Sequence, residues 1–210
     1  MELETIYNDL IEIIKNDMSV DKAIKLKEKL EKAIREETCY KTTSKTRVNA
    51  IKRIASKLES RLALTGYGIC DDFKCVTDSY HAIMIHEDNM PLKLVTTDKE
   101  LADKVGHENC INATYPNFNS FINFNKSYYD VTFLDYDDVM SFYKMNRKNA
   151  DSELYNFKGE FYNITFIKNV IDVLGKNTKV YVPKNTDDYR PLYIENEKGE
   201  LGLVLPIKKY

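Results

Sequence analysis

The amino-acid sequence predicts an α+β protein, with antiparallel sheets and packed helices preceded by a helical hairpin. Three observations carry this. Apolar residues recur at helical spacing between Leu3 and Leu62. From Ala63 on, the texture turns period-two and aromatic, with 15 Tyr, 9 Phe and no Trp in the chain. Short helical segments with start and stop residues interrupt those runs, as in a mixed rather than an all-β architecture.

The opening stripe is Leu3, Ile6, Tyr7, Leu10, Ile13 and Ile14; a second follows the capping Ser19 with Val20, Ala23, Ile24, Leu30 and Ile34. Together they make residues 1–37 a helical hairpin with a charged outer face. Residues 38–44 break the periodicity and read as a linker. A third helix is expected over Lys45 to Leu62. Its apolar stripe is Val48, Ile51, Ile54, Ala55, Leu58 and Leu62, and Lys45, Lys52, Arg53, Lys57 and Arg61 project to the other side. Only Glu59 interrupts those cations. Such a face is either ordinary solvated surface or a surface that tracks phosphates, which needs cations without carboxylates.

Strands follow. Leu64 to Cys70, a turn at Asp71-Asp72 and Phe73 to Ile85 form a predicted hairpin. Thr97 starts a helix over Lys99 to Val105 that Gly106 stops, and strands recur near Asn109 to Thr114 and Tyr128 to Leu134. A helix after Asp135 turns Val139, Phe142 and Tyr143 inward, and Leu154 to Phe161 is the next strand. Asn163 caps a helix from Ile164 to Leu174 that Gly175 ends. Lys179 to Val182, Leu192 to Glu195 and Gly202 to Leu205 close the chain as strands. Residues 45–210 are one body or two shortened subdomains, about 45–125 and 126–210.

Composition narrows the function classes. The 210 residues, 43% hydrophobic, suffice for one compact domain with an appendage or two small ones. A net charge of −2 steers the whole molecule toward neither nucleic acid nor an anionic membrane, so any basic patch must be local. With no basic leader before a greasy segment and no long apolar run, the expected location is the cytoplasm, without a membrane partner. Cys39, Cys70, Cys75 and Cys110 are then expected as reduced thiols.

Chemistry-bearing motifs are sparse. Cys70 and Cys75, His81 and His86 have Cys-x4-Cys and His-x4-His spacings, with His107 and Cys110 nearby, which makes zinc the rival reading; structural zinc sites prefer tighter cysteine spacing on a knuckle, and no metal is expected. Asp71-Asp72 and Asp135, Asp137 and Asp138 are carboxylates that hold Mg²⁺ in some enzymes, but they sit where acids form turns and favour helix N-termini. No phosphate loop, dinucleotide fingerprint or nucleophile elbow occurs, and the seven glycines are scattered. The expectation is a non-catalytic protein with no cofactor.

The stretch FYNITFIKNVIDVLGKNTKVYVPKNTDDYRPLYIENEKGELGLVLPIKKY, residues 161–210, resembles the end of the bacterial sliding clamp, the β subunit of the replicative DNA polymerase. An Asn-led helix, a strand, a Pro-led strand and a terminal strand with an apolar-Pro-apolar-basic tail (Leu205-Pro206-Ile207-Lys208) come in the same order. Upstream, Thr77-Asp78-Ser79-Tyr80-His81 resembles the family's Thr-Asp-Gly-aromatic/His-Arg strand end, with Ser79 and His81 standing where the family usually has Gly and Arg. Tyr115-Pro116-Asn117-Phe118 resembles its Phe-Pro-Asp-Tyr.

This resemblance implies a shortened clamp-like body, the helical hairpin taking the place of a first clamp domain. It further implies a peptide-binding pocket of Thr77, Tyr80, His81, Pro116, Phe121, Leu205, Pro206 and Ile207, because in clamps these motifs grip a linear peptide carried by polymerases and other DNA enzymes. The function so implied is a DNA-replication accessory, of the kind a mobile element such as a phage or prophage carries. Its expected partners are DNA, replication proteins with a linear peptide, and further copies of itself in an oligomer. The alternatives are a regulatory or inhibitory protein that reuses the fold to bind another protein and, third, a metal-dependent enzyme.

Overall fold

Period-two alternation decides the two faces of the sheet. In the computed structural model, which describes residues 29–30, 44–88, 90–91, 93–98, 113–146, 154–185 and 189–207, Ile83 and Ile85 of one strand join one apolar cluster while Ala82 and Met84 join another. Both faces are covered, so this strand is buried at every position and reads as a continuous apolar run.

The elements begin with α1 (Lys45–Ile54), a 3₁₀ stretch (Glu59–Thr65) and the strands β1 (Gly68–Cys70), β2 (Phe73–Thr77) and β3 (His81–Ile85). A short helix α2 (Asn119–Ile122), β4 (Tyr129–Phe133), α3 (Tyr136–Asn146) and the separate hairpin of β5 (Leu154–Phe157) and β6 (Glu160–Asn163) follow. Then α4 (Ile164–Leu174) precedes a second meander of β7 (Thr178–Pro183), β8 (Leu192–Asn196) and β9 (Leu201–Val204). The large sheet has the order β1-β2-β3-β9-β8-β7-β4, and every neighbouring pair is antiparallel.

Each three-stranded meander follows a helix. The two meanders meet at β3 and β9, where His81 lies opposite Val204 and Ile83 opposite Gly202, so the strand order on one side mirrors that on the other. A single sheet therefore runs through both halves of the body. The helices α1 and α4 pack on one another over the same face. There Ile51 and Ile54 of α1 and Ile167, Val170 and Leu174 of α4 cover Val76, Ile83, Val180, Ile194 and Val204, each fully buried aliphatic contributing roughly 1.5–3 kcal/mol. A Cβ on Gly202 would stand 2.2 Å from Val170 Cγ1, so only glycine lets α4 settle this close to β9. The other face is aromatic: Phe118, Tyr129, Tyr181 and Tyr193 are buried, and Phe121 and Phe124 pack against them.

Several expected elements have the expected bounds. α4 begins at Asn163, whose Oδ1 accepts from Thr165 N at 2.8 Å, and ends at Gly175 with φ +95°. α3 follows Asp135, whose Oδ1 accepts from the N–H groups of Asp137 and Asp138. Other bounds are corrected. The third helix stops at Ile54, not Leu62, because Ala55 turns extended (ψ 144°) and Ser56 N donates to Leu64 O at 2.9 Å. Leu58 and Leu62, expected in the core, are consequently 56% and 55% exposed. Leu64 to Thr65 are 3₁₀ rather than strand, Phe73 to Ile85 is two strands broken by a turn at Asp78 to Tyr80, and Leu154 to Phe161 divides at Lys158-Gly159. The hairpin over 1–37, apart from helical Lys29–Leu30, the linker up to Thr43, the helix over 99–105 and residues 109–112 of the strand over 109–114 lie outside the described residues, and Ala113 and Thr114 are not strand. Among the described residues, no helix is long and apolar enough to cross a membrane.

Candidate functional site

Where α1 ends, cations collect. Ser44 caps its start, its Oγ accepting from Arg47 N at 3.2 Å, and Lys52 and Arg53 occupy the last turn, where positive charge suits the carbonyl end of the helix dipole. Beyond Ala55 the chain leaves the helix axis, with Ser56 Oγ accepting from Leu58 N at 3.2 Å, and this bend brings Lys57 back toward Lys52. The loop that follows β3 adds Lys93. These four cations line a cleft of about 630 Å³ to which Asn49, Ser56 and Thr65 contribute an amide and two hydroxyls. Among the described residues, no carboxylate lines it. Behind it, Asp172 of α4 accepts from Arg53 Nη2 at 2.7 Å and pairs with Lys168.

Of the expected cations, Lys52, Arg53 and Lys57 share that cleft, and Lys45 stands exposed at the far end of α1. Arg61 goes elsewhere. Its Nη1 donates to Asp78 O at 3.2 Å and Ser79 Oγ at 3.0 Å, and its guanidinium lies 5.9 Å from the Tyr80 ring centre. Lys93 has no sequence signal, since nothing in Pro91-Leu92-Lys93-Leu94 announces that its loop returns to α1.

The residues expected to form a peptide pocket lie on two sides of the sheet. Pairing of β3 with β9 brings some of them together: Leu205 N donates to Tyr80 O at 2.9 Å, and Ile207 N reaches Phe161 O at 2.8 Å. Pro206 lies half-buried between them. Thr77 is buried, its hydroxyl donating to His81 O at 2.8 Å, whereas Tyr80 is 54% exposed. His81 points under α4: its ring stacks on Phe166 at 4.3 Å and Nδ1 meets Asp78 Oδ1 at 2.9 Å. Leu205 and Phe121 pack into the aromatic cluster on the opposite face, and Pro116 is exposed. Ser79 has φ +86°, a conformation that favours glycine.

Cys75 and His81 face opposite sides of the sheet, and His86 stacks on Phe73 at 4.3 Å. Burial, helped by the neighbouring Cys70 and Asp71, pushes the Cys75 thiol up to about 12, so it stays protonated, the form that binds metal poorly. Among the described residues, no group of three or more His, Cys, Asp or Glu side chains converges as metal ligands do. One buried polar network escapes sequence reading. Arg47 donates to Glu87 at 3.1 Å and to Glu200 at 2.8 Å, and Glu200 also accepts from Asn196 Nδ2 at 2.7 Å and His86 N at 3.0 Å. It ties α1 to the turn before β9 and to the segment that follows β3.

No protein-family model matches the chain, and no curated protein matches it.

Proposed function

We propose that this chain is a non-catalytic, clamp-like accessory protein of DNA replication that binds the phosphate backbone of DNA at the cleft beside α1. The observation that carries the reading is the convergence of Lys52, Arg53, Lys57 and Lys93, from two distant stretches of chain, on one cleft whose lining has no carboxylate among the described residues. A phosphate surface requires this, since each neutralised phosphate releases counterions whereas interspersed acids would repel the strand. The clamp reading is supported by the antiparallel sheet with two helices packed on one face and by the positive φ at Ser79. It is also supported by the tail of residues 205–207 running on from β9 past Tyr80, the order the resemblance implies.

The test is fluorescence titration of a short duplex DNA at several salt concentrations against wild type and the triple variant Lys52→Ser, Lys57→Ser, Lys93→Ser. Wild type is expected to bind at low salt with log K falling linearly in log salt, and the variant to lose roughly 2–3 units of that slope. Arg61→Ser is the internal control and should leave the slope unchanged. A wild type that binds no duplex at low salt overturns the DNA reading. It would favour a regulator that binds another protein, which the 57% and 73% exposed Val131 and Phe133 on the sheet edge suit better than phosphate.

A further inference from the structure

Arg53 is held twice in the free protein. Its Nη2 donates to Asp172 Oδ2 at 2.7 Å and its Nε to Asn169 Oδ1 at 2.9 Å. An arginine Nε is always an N–H donor, so the Asn169 amide must turn its oxygen to α1. Its nitrogen therefore faces His81, with Nδ2 3.5 Å from Nε2. Opposite an NH₂ group, Nε2 can only be a lone pair. The single proton of the neutral ring then sits on Nδ1, where it is donated to Asp78 Oδ1 at 2.9 Å. A chain of fixed polarity thus runs from Arg53 on α1 through Asn169 on α4 to His81 and the turn before β3. Its middle is dry, with His81 1% and Asn169 5% exposed and the Phe166 ring stacked on the imidazole, whereas the Arg53 end is exposed.

We propose that Asn169 is a positioning residue for phosphate binding at the α1 cleft, holding Arg53 back while His81 is neutral and releasing it when His81 takes up a proton. A proton on Nε2 sets an N–H against the Asn169 NH₂. Rotating the amide by half a turn relieves this, but the NH₂ then faces Arg53 Nε, donor against donor, and Arg53 keeps only Asp172. The coupling is reciprocal. A phosphate that draws Arg53 off Asn169 frees the amide to accept from Nε2–H, so binding at the cleft and protonation of His81 favour one another. The charged groups around the ring have opposed effects. Asp78, from the turn, favours the proton, and Arg53, from α1, opposes it. Asp172 and Lys168 on α4 lie beyond Arg53, and Arg61 touches Asp78 only through its carbonyl.

The inference rests on the phosphate reading, and two measurements keep them apart. The first uses no DNA: ¹⁵N and ¹H NMR titration of His81 in wild type, Arg53→Met, Asn169→Ala and the double variant, with folding checked by circular dichroism. Neutral His81 in wild type is expected as the Nδ1–H tautomer. Arg53→Met is expected to raise the proton affinity of His81 by roughly threefold to tenfold more when Asn169 is present than when it is Ala, the worth of one hydrogen bond. The Nε2–H tautomer, or an equal effect of Arg53→Met in both backgrounds, overturns the relay. The second compares duplex affinity from pH 8 to 5.5 in wild type and Asn169→Ala. Wild type should gain affinity more steeply on acidification, and Asn169→Ala should bind more tightly at pH 8 with a shallower profile. Identical profiles sink the link to binding and leave the phosphate cleft standing; absence of binding by both proteins removes the phosphate reading, while the NMR cycle still decides the relay.

Discussion

At Ser79 one side chain bears the backbone geometry of the turn between β2 and β3. Its φ of +86° costs a non-glycine residue of order 1–3 kcal/mol. Its surroundings offset part of that: its N–H donates to Thr77 Oγ1 at 3.0 Å, and its hydroxyl accepts from Arg61 at 3.0 Å. Ser79→Gly removes the strain and only the exposed arginine contact. The expected result is a stability gain of about 1 kcal/mol, a rise of roughly 2–4 °C in Tm by calorimetry. Ser79→Ala keeps the strain and loses the same contact, so it should gain nothing. A glycine variant no more stable than the alanine one would mean that the turn holds no strain.

At the scale of the elements, β4 ends the sheet without the usual protection among the described residues. It has no proline, lysine or bulge, its register with β7 is unbroken from Tyr129–Pro183 to Phe133–Lys179, and its one charge, Asp130, lies on the face away from Val131 and Phe133. An edge that no described strand pairs, flanked by two exposed apolar side chains, is a template for another strand. Concentration-dependent self-association is therefore expected in sedimentation equilibrium. Val131→Lys should abolish it while changing stability by no more than about 0.5 kcal/mol, because the side chain is already in water. A wild type that stays monomeric at every concentration refutes this.

Across the whole molecule, buried carboxylates set the response to acid. Burial by itself would push the Glu200 carboxyl up, but the Arg47 guanidinium, the Asn196 amide and the His86 N–H outweigh it and hold the carboxyl below its ordinary range. Asp78 is lowered in the same way, its burial outweighed by His81 and the backbone N–H groups of Tyr80 and His81. A carboxylate depressed in the folded state stabilises the protein above its unfolded pKa of about 4, and that contribution disappears as pH falls through the folded value. Tm is therefore expected to stay level from pH 7 to 5 and to drop below about 4. Glu200→Gln should lower Tm at pH 7, since Arg47 loses a buried partner, and should flatten the acid limb; an acid limb as steep as that of wild type excludes Glu200 as a contributor.

Local signals were legible wherever one residue or one period decides the outcome. Asn163 and Gly175 bound α4 and Asp135 starts α3, because capping acts within a few residues. The same local reading ran α1 on to Leu62, since Leu58 and Leu62 continue its stripe; what stops the helix at Ile54 is a bond from Ser56 to Leu64 that no helical period contains. The candidate cleft divides likewise. Lys52, Arg53 and Lys57 were visible as cations on one short stretch, whereas Lys93 joins them only because the loop after β3 returns to α1. Arg61, equal to them in sequence, was drawn to the turn at Asp78 and Ser79. Nor does any spacing announce that Asn169 stands between Arg53 and His81, residues that belong to a helix and a strand brought under α4 by the pairing of β3 with β9. Sequence determined which residues can be helical, buried or charged; the pairing of distant strands decided which of those charges meet, because contacts between residues far apart in the chain depend on the closure of the whole sheet.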